Sequence, residues 1–273
     1  MRIRFWGVRG SIPVPGPSTV RVGGNTPCVE VETEKRQVVI LDAGTGIRLL
    51  GLDLAARRGG RLIAVLLFSH THWDHIQGLP FFSPARLRHN RLVILGERRM
   101  DSHLEQVLRG QMVDAYLPFT IEDLRADLLI KEVRDGEKIV VGEYTTILPR
   151  SLRHPGGVFG YRIACQGKSV VYASDVSHPP GGLDPRLVDL ARGVDLLIHD
   201  AQFTPEERLR YADWGHSSWL EAVRVAQAAG AARLALFHHA PLHDDDCLEE
   251  IERQAQEQYA GAFIAREGME IKI

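Results

Sequence analysis

The chain has 273 residues, of which 44% are apolar and 25% charged, and its formal net charge is −2. That composition suits a globular protein with one large core or two small domains, and it carries no bulk positive charge for gripping nucleic acid. No apolar run approaches membrane-spanning length, Met1-Arg2-Ile3-Arg4-Phe5-Trp6 lacks the apolar core of a signal peptide, and Cys28, Cys165 and Cys247 are too few and too scattered for a disulfide framework, so a soluble protein of the reducing cytoplasm is expected.

Residues 2–6 and 28–33 read as strands, separated by a loop from Gly7 to Pro27 rich in Gly and Pro. Val38-Val39-Ile40-Leu41 is a short buried strand ending at Asp42, and Ala43-Gly44-Thr45-Gly46 turns into a helix over 46–58. A strand over 62–68 delivers Ser69-His70-Thr71-His72-Trp73-Asp74-His75. Residues 79–130 read as a helical insertion, with an amphipathic helix over 97–113 and a short one over 120–126. It would cover the core or the mouth of the site, with Phe81, Phe82, Met112, Tyr116 and Phe119 as its apolar contacts. Strands follow at 128–133, 138–141, 144–150, 159–165 and 169–173. Helix and strand then alternate: strands at 196–198 and 234–237, helices over 217–229 and 245–259, and a last strand at 269–273. There is no Gly-X-Gly-X-X-Gly, which argues against a dinucleotide fold.

The segment His70-Thr71-His72-Trp73-Asp74-His75 concentrates three imidazoles and a carboxylate behind a buried strand. Imidazole nitrogen and carboxylate oxygen are the ligands zinc prefers. In a loop, His70 and His72 can share one ion, while Asp74 and His75, at the start of a helix, can face a second. Polar residues recur where later apolar strands end: His154, Asp175, the pair His199-Asp200, and His238-His239. Strand ends meet at one rim of a sheet, so these residues can converge. His243-Asp244-Asp245-Asp246 also resembles a metal site, but Asp residues before an amphipathic stretch read better as a helix cap.

With these residues in place, the chain resembles the metallo-β-lactamase superfamily, and within it the branch of tRNase Z and the cyclic-phosphate phosphodiesterases. Asp42, then His70, His72, Asp74 and His75, then His154, Asp175 and His238 match the five motifs in order. The resemblance implies an α/β fold, an αββα sandwich of two mixed β-sheets flanked by helices, formed as a single domain over 1–273. It implies two divalent metal ions, zinc first, with manganese or iron accepted by the same ligands. His70, His72 and His154 would hold one ion, Asp74, His75 and His238 the other, with Asp175 bridging and Asp42 buttressing without touching metal. A hydroxide shared by the ions would be the nucleophile.

His199-Asp200-Ala201 and Gly215-His216-Ser217-Ser218 resemble the tRNase Z segments His-Glu-Ala and Gly-His-Ser-Thr. In that family the carboxylate and the His work together to protonate the leaving oxygen, so Asp74, Asp200 and His216 are the catalytic candidates. Here Asp200 is one methylene shorter than Glu. The opening run Gly7-Val8-Arg9-Gly10-Ser11-Ile12-Pro13 also matches this branch, and its amides could face a phosphate. Bacterial tRNase Z inserts a tRNA-gripping arm between its third and fourth motifs. About twenty residues separate His154 from Asp175 here, too few for an arm beside a hairpin. A small or cyclic phosphodiester is therefore favoured over nucleic acid as substrate. The alternatives are a thioester or lactam hydrolase of the same fold, a tRNA 3′-end endonuclease, and a non-catalytic metal-binding scaffold. The family often forms homodimers, and no membrane partner is expected.

Overall fold

The computed structural model describes residues 1–58, 61–98 and 103–273. Two seven-stranded sheets face each other. The first contains β1 (Arg2–Gly7), β2 (Cys28–Glu32), β3 (Val38–Leu41), β4 (Ile63–Leu67), β5 (Arg91–Glu97), β6 (Asp127–Val133) and, returning from the far end of the chain, β14 (Glu270–Lys272). The second contains β7 (Ile139–Val141), β8 (Thr145–Leu152), β9 (Val158–Cys165), β10 (Lys168–Ala173), β11 (Leu196–Asp200), β12 (Leu234–Phe237) and β13 (Ala262–Ile264). Both sheets are mixed: β3 to β6 are parallel, as are β10 to β13, and the remaining pairs are antiparallel. Helices α1 (Ile47–Arg58), α2 (Trp73–Ile76), α3 (Leu104–Gly110), α4 (Pro185–Leu190), α5 (Pro205–Arg210), α6 (Trp219–Ala229) and α7 (Asp245–Gln258) lie between and around the strands. The fold is the αββα sandwich anticipated above. Among the described residues no helix is long and apolar enough to cross a membrane.

Strand alternation sorts the apolar side chains into two cores. Val39, Leu41, Val65 and Leu67 fill the space between the sheets, against Tyr161, Ile163, Val170 and Tyr172. Val38, Ile40, Ala64 and Leu66 turn the other way and pack with Ile47, Leu50 and Leu54 of α1. Each fully buried aliphatic side chain contributes roughly 1.5–3 kcal/mol. On the second sheet, α6 buries Ala222, Val225 and Ala226. Its start is set by Ser218, whose hydroxyl accepts from the Glu221 amide while the Glu221 carboxylate accepts from the Ser218 amide.

The stretch expected as a helical insertion over 79–130 is not a separate helical body. Leu92-Val93-Ile94-Leu95 pairs in parallel with both β4 and β6, so β5 and β6 would both be lost from the first sheet without it. Among the described residues the α-helix inside it is α3, shorter than expected, and residues 99–102 of the expected helix lie outside the described residues. The helix expected over 120–126 is a single 3-10 turn, Ile121–Asp123. Phe82 and Met112 belong to the core under α1, whereas Phe81 and Tyr116 are exposed.

Strand direction gathers the site. β9 is antiparallel to both β8 and β10, so those two run the same way, and β11 and β12 are parallel to β10. The residues that follow β8, β10 and β12, and the last residue of β11, therefore sit at one rim. β3 and β4 end at the facing rim of the first sheet, where the Ser69 carbonyl accepts from the Phe159 amide of β9.

Candidate metal centre

Among the described residues, three groups of side chains bring potential ligand atoms within 4.8 Å of one another: His70, His72, His154 and Asp175; Asp74, His75, Asp175 and His238; and Asp200, His216 and His238. Asp175 belongs to the first two groups, so its carboxylate lies where two sites adjoin. All of these residues are buried except His72, which marks the mouth together with the exposed Trp73. Asp42 (φ 60°), Asp175 (φ 55°) and His238 (φ 62°) adopt left-handed backbone conformations where their strands end. Such a conformation is costly for a residue with a side chain and collects at functional sites.

The ring nitrogens not offered to the site are already spoken for. The His75 Nδ1–H donates to Asp42 Oδ2 at 2.8 Å, that of His154 to the Gly215 carbonyl at 2.9 Å, and that of His238 to Gln202 Oε1 at 3.0 Å. Each donation fixes the tautomer and leaves an Nε2 lone pair. The Nε2 atoms of His70 and His75 are buried without a hydrogen-bond partner. His154 Nε2 and His72 Nδ1 face each other at 3.4 Å, close enough for one cation to take both lone pairs. Burial disfavours charge on His70, His72 and His154 and lowers their pKa values, keeping them in the neutral form that binds metal. Burial also disfavours charge on His75, but Asp175, Asp74 and Asp42 outweigh it and raise its pKa well above the ordinary value. A buried carboxylate cluster of this kind calls for positive charge, and the donor set fits two divalent cations.

Asp42 does not face the cluster. Its Oδ1 accepts from the Ser69 amide at 2.8 Å, and its Oδ2 accepts from Ser69 Oγ at 2.8 Å and Tyr172 OH at 2.7 Å besides His75. Asp74 Oδ2 accepts from the Ser11 amide at 2.8 Å and lies 3.1 Å from His238 Nε2. The Ser11 amide, one of those that could have faced a phosphate, is thus committed to orienting Asp74. The opening loop is pressed against the site: a Cβ on Gly10 would stand 2.5 Å from His238 Cε1, and one on Gly215 would stand 2.6 Å from His154 Nδ1.

Asp200 Oδ2 accepts from His216 Nδ1 at 2.7 Å, so the shorter Asp still reaches the imidazole. Its Oδ1 accepts from the amides of Ser217 (3.0 Å) and Gln202 (3.1 Å). Burial works against a charged His216, but Asp200 prevails and raises its pKa. The His216 ring stacks on His238, with centroids 5.1 Å apart. His199 is turned away, its Nδ1 donating to the Asp200 carbonyl at 2.6 Å. His239 also faces elsewhere: its Nε2 donates to the Ala265 carbonyl at 3.0 Å. Asp244 caps α7 by accepting from the Cys247 amide, Asp245 accepts from the amides of Arg21 and Val22, and His243 meets Glu207. Sequence reasoning missed Ser69, Tyr172 and Gln202. The nearness of Ser69 and Gln202 to site residues in the chain was the only available signal, and Tyr172 had none.

A profile of the Beta-lactamase superfamily domain matches residues 37–239. The Ribonuclease Z of Bacillus subtilis (strain 168) is 21% identical over 100% of this chain and 99% of its own length. Among solved structures, a diphosphatase described as new and from the PhnP family superposes with a TM-score of 0.74 at 22% identity, covering 100% of this chain and 97% of the other. The short form of human tRNase Z gives a TM-score of 0.72 at 19% identity, covering 100% and 99%. At these identities the structural likeness speaks for the fold alone.

Proposed function

This chain belongs to the metallo-β-lactamase superfamily, as a metal-dependent hydrolase, and we propose that it is a dinuclear phosphodiesterase acting on a small or cyclic phosphodiester. The observation that carries this reading is the buried Asp200–His216 pair beside the two ligand groups. Hydrolysis of a thioester has no need of a separate proton donor there, because a thiolate leaves unaided, whereas expelling an alkoxide from phosphate does.

His70, His72, His154 and Asp175 would hold one ion, and Asp74, His75, His238 and Asp175 the other, with zinc the ion that best suits this donor set. When bound, two dications acidify water and neutralise the charge of a phosphodiester. The chain's own residues do the rest. Asp42, Gln202 and the Gly215 carbonyl hold three imidazoles in their ligating tautomers, and the Ser11 amide orients Asp74. Asp200 keeps the proton of His216 on Nδ1 and supports the imidazolium, whose Nε2–H is then available to the leaving oxygen.

The similarity to Ribonuclease Z along the whole chain favours a second reading, an endonuclease acting on RNA. Against it stand the net charge of −2 and the tight hairpin between His154 and Asp175, where Lys168 pairs directly with Cys165. The test is a substrate panel with the metal-loaded protein: bis(p-nitrophenyl) phosphate, a cyclic nucleotide, a thioester, a cephalosporin and a tRNA precursor. Phosphodiester hydrolysis that is lost in His70→Ala supports the reading. Turnover confined to the thioester or the lactam overturns it, and turnover confined to the precursor favours the second.

A further inference from the structure

We propose that the cleft beside His154 holds a second, uncleaved phosphate group of the substrate, an inference that rests on the phosphodiesterase reading of the adjoining site. The cleft encloses about 920 Å³, within the usual range of ligand sites. His154 and Gly215 form part of its wall, so it opens directly beside the candidate metal centre. Arg153, His178, Arg208 and Arg224 also line it.

Arg153 and Arg224 are exposed, and neither makes an ion pair or a side-chain hydrogen bond among the described residues. Arg208 donates through Nη1 to the Ala212 carbonyl at 3.0 Å, and its buried Nε is ion-paired with Glu221 Oε2 at 3.5 Å. His178 is 2% exposed, and its Nδ1 accepts from the Asp184 amide at 3.1 Å. That bond places the ring proton on Nε2, which is buried with no acceptor. The His178 Nε2–H is unusual in this wall, because a buried donor without a partner is costly. The acidic residues of the lining are Asp213 and Glu221. Glu221 is committed: its Oε2 accepts from the Ser218 amide and hydroxyl and lies 3.5 Å from Arg208 Nε. Three guanidinium groups facing two carboxylates leave the cleft net positive. A phosphate monoester offers several strong acceptors, and any two of its oxygens can take both N–H bonds of a planar guanidinium fork.

The experiment compares dinucleotides that share one internal diester. Thymidylyl-thymidine (TpT) has no second phosphate, whereas pTpT and TpTp carry one at either end. The metal-loaded protein is expected to favour one phosphorylated form over TpT by about tenfold in kcat/KM, and Arg153→Ala or Arg224→Ala to erase most of that preference, with Arg→Lys retaining part of it. A second arm needs no turnover: calorimetry of inorganic phosphate binding to the metal-free full chain, with binding expected to weaken about tenfold or more in the Arg153→Ala, Arg224→Ala double variant. Phosphate binding that depends on the arginines, without hydrolysis of any dinucleotide, overturns the phosphodiesterase reading and leaves the cleft as an anion site. Hydrolysis with no preference among the three dinucleotides, and phosphate binding unchanged in the double variant, overturns the cleft proposal and leaves the phosphodiesterase reading standing.

Discussion

Asp200 Oδ2 lies 2.7 Å from His216 Nδ1, and the Asp200 carboxylate is fully buried while its oxygens also accept two backbone amides. The carboxylate cannot turn away from the imidazole without abandoning those amides. The pair is therefore held ready before any substrate arrives.

This arrangement predicts a leaving-group dependence. Removing a positioned acid costs on the order of 10²–10⁴ in rate where the leaving oxygen needs a proton. His216→Ala is expected to lose that much on an alkyl phosphodiester and far less on a p-nitrophenyl ester, with metal content unchanged. Asp200→Asn should show the same pattern with a smaller loss. Equal losses on both substrates would mean that His216 serves only to hold the fold.

Asp42 joins four donors from the turn after β4, from α2 and from β10 yet does not reach the ligand groups. Asp42→Ala is expected to weaken metal binding by roughly 10–100-fold, because His75 loses the partner that fixes its tautomer. Leaving the Ser69 and Tyr172 hydroxyls without their acceptor should also cost about 1–3 kcal/mol for each buried donor. A chelator competition and a thermal melt measure the two effects separately.

Much of this was legible in the chain. The ligand candidates could be read because each follows a buried strand, and parallel pairing brings such positions to one rim. β5 was misplaced, although Leu92-Val93-Ile94-Leu95 is as apolar as the strands found, because Arg91 and Gly96 bracket it and it was absorbed into an expected insertion. α5 escaped periodicity altogether, since it buries no residue and owes its start to the Thr204–Glu207 capping box. Tyr172 was invisible for a different reason: what it does depends on a partner 130 positions away.

The close approach of Gly10 to His238 gives a second structural test. Gly10→Ala would place a methyl 2.5 Å from the imidazole, so His238 or the loop must shift, at a cost of about 1–3 kcal/mol. Metal affinity should fall with it. Gly16→Ala, in the same loop with no atom within 4 Å of the added methyl, should change neither quantity. Metal analysis after dialysis compares the two variants.

Acid should loosen the fold through two histidines outside the metal ligands. Burial lowers the pKa of His178 to about 4, and burial together with His178 lowers that of His199 to about 4, from 6.5 in the open chain. The unfolded chain then takes up protons first, so stability is present above pH 6.5 and is lost as the pH falls toward 4. The loss is on the order of 3 kcal/mol for each group. Melting of the metal-free protein across that window should show Tm falling with pH, and the fall should be less steep in His199→Gln.

In the proposed mechanism two ions share Asp175 and act together on a phosphodiester. Zinc is therefore titrated into the metal-free chain while the rate of bis(p-nitrophenyl) phosphate hydrolysis is followed. The predicted result is a rate that rises until two equivalents are bound per chain and then levels, with the second equivalent lost in Asp175→Ala. A plateau at one equivalent, or a fully loaded protein that leaves the ester intact, would contradict it.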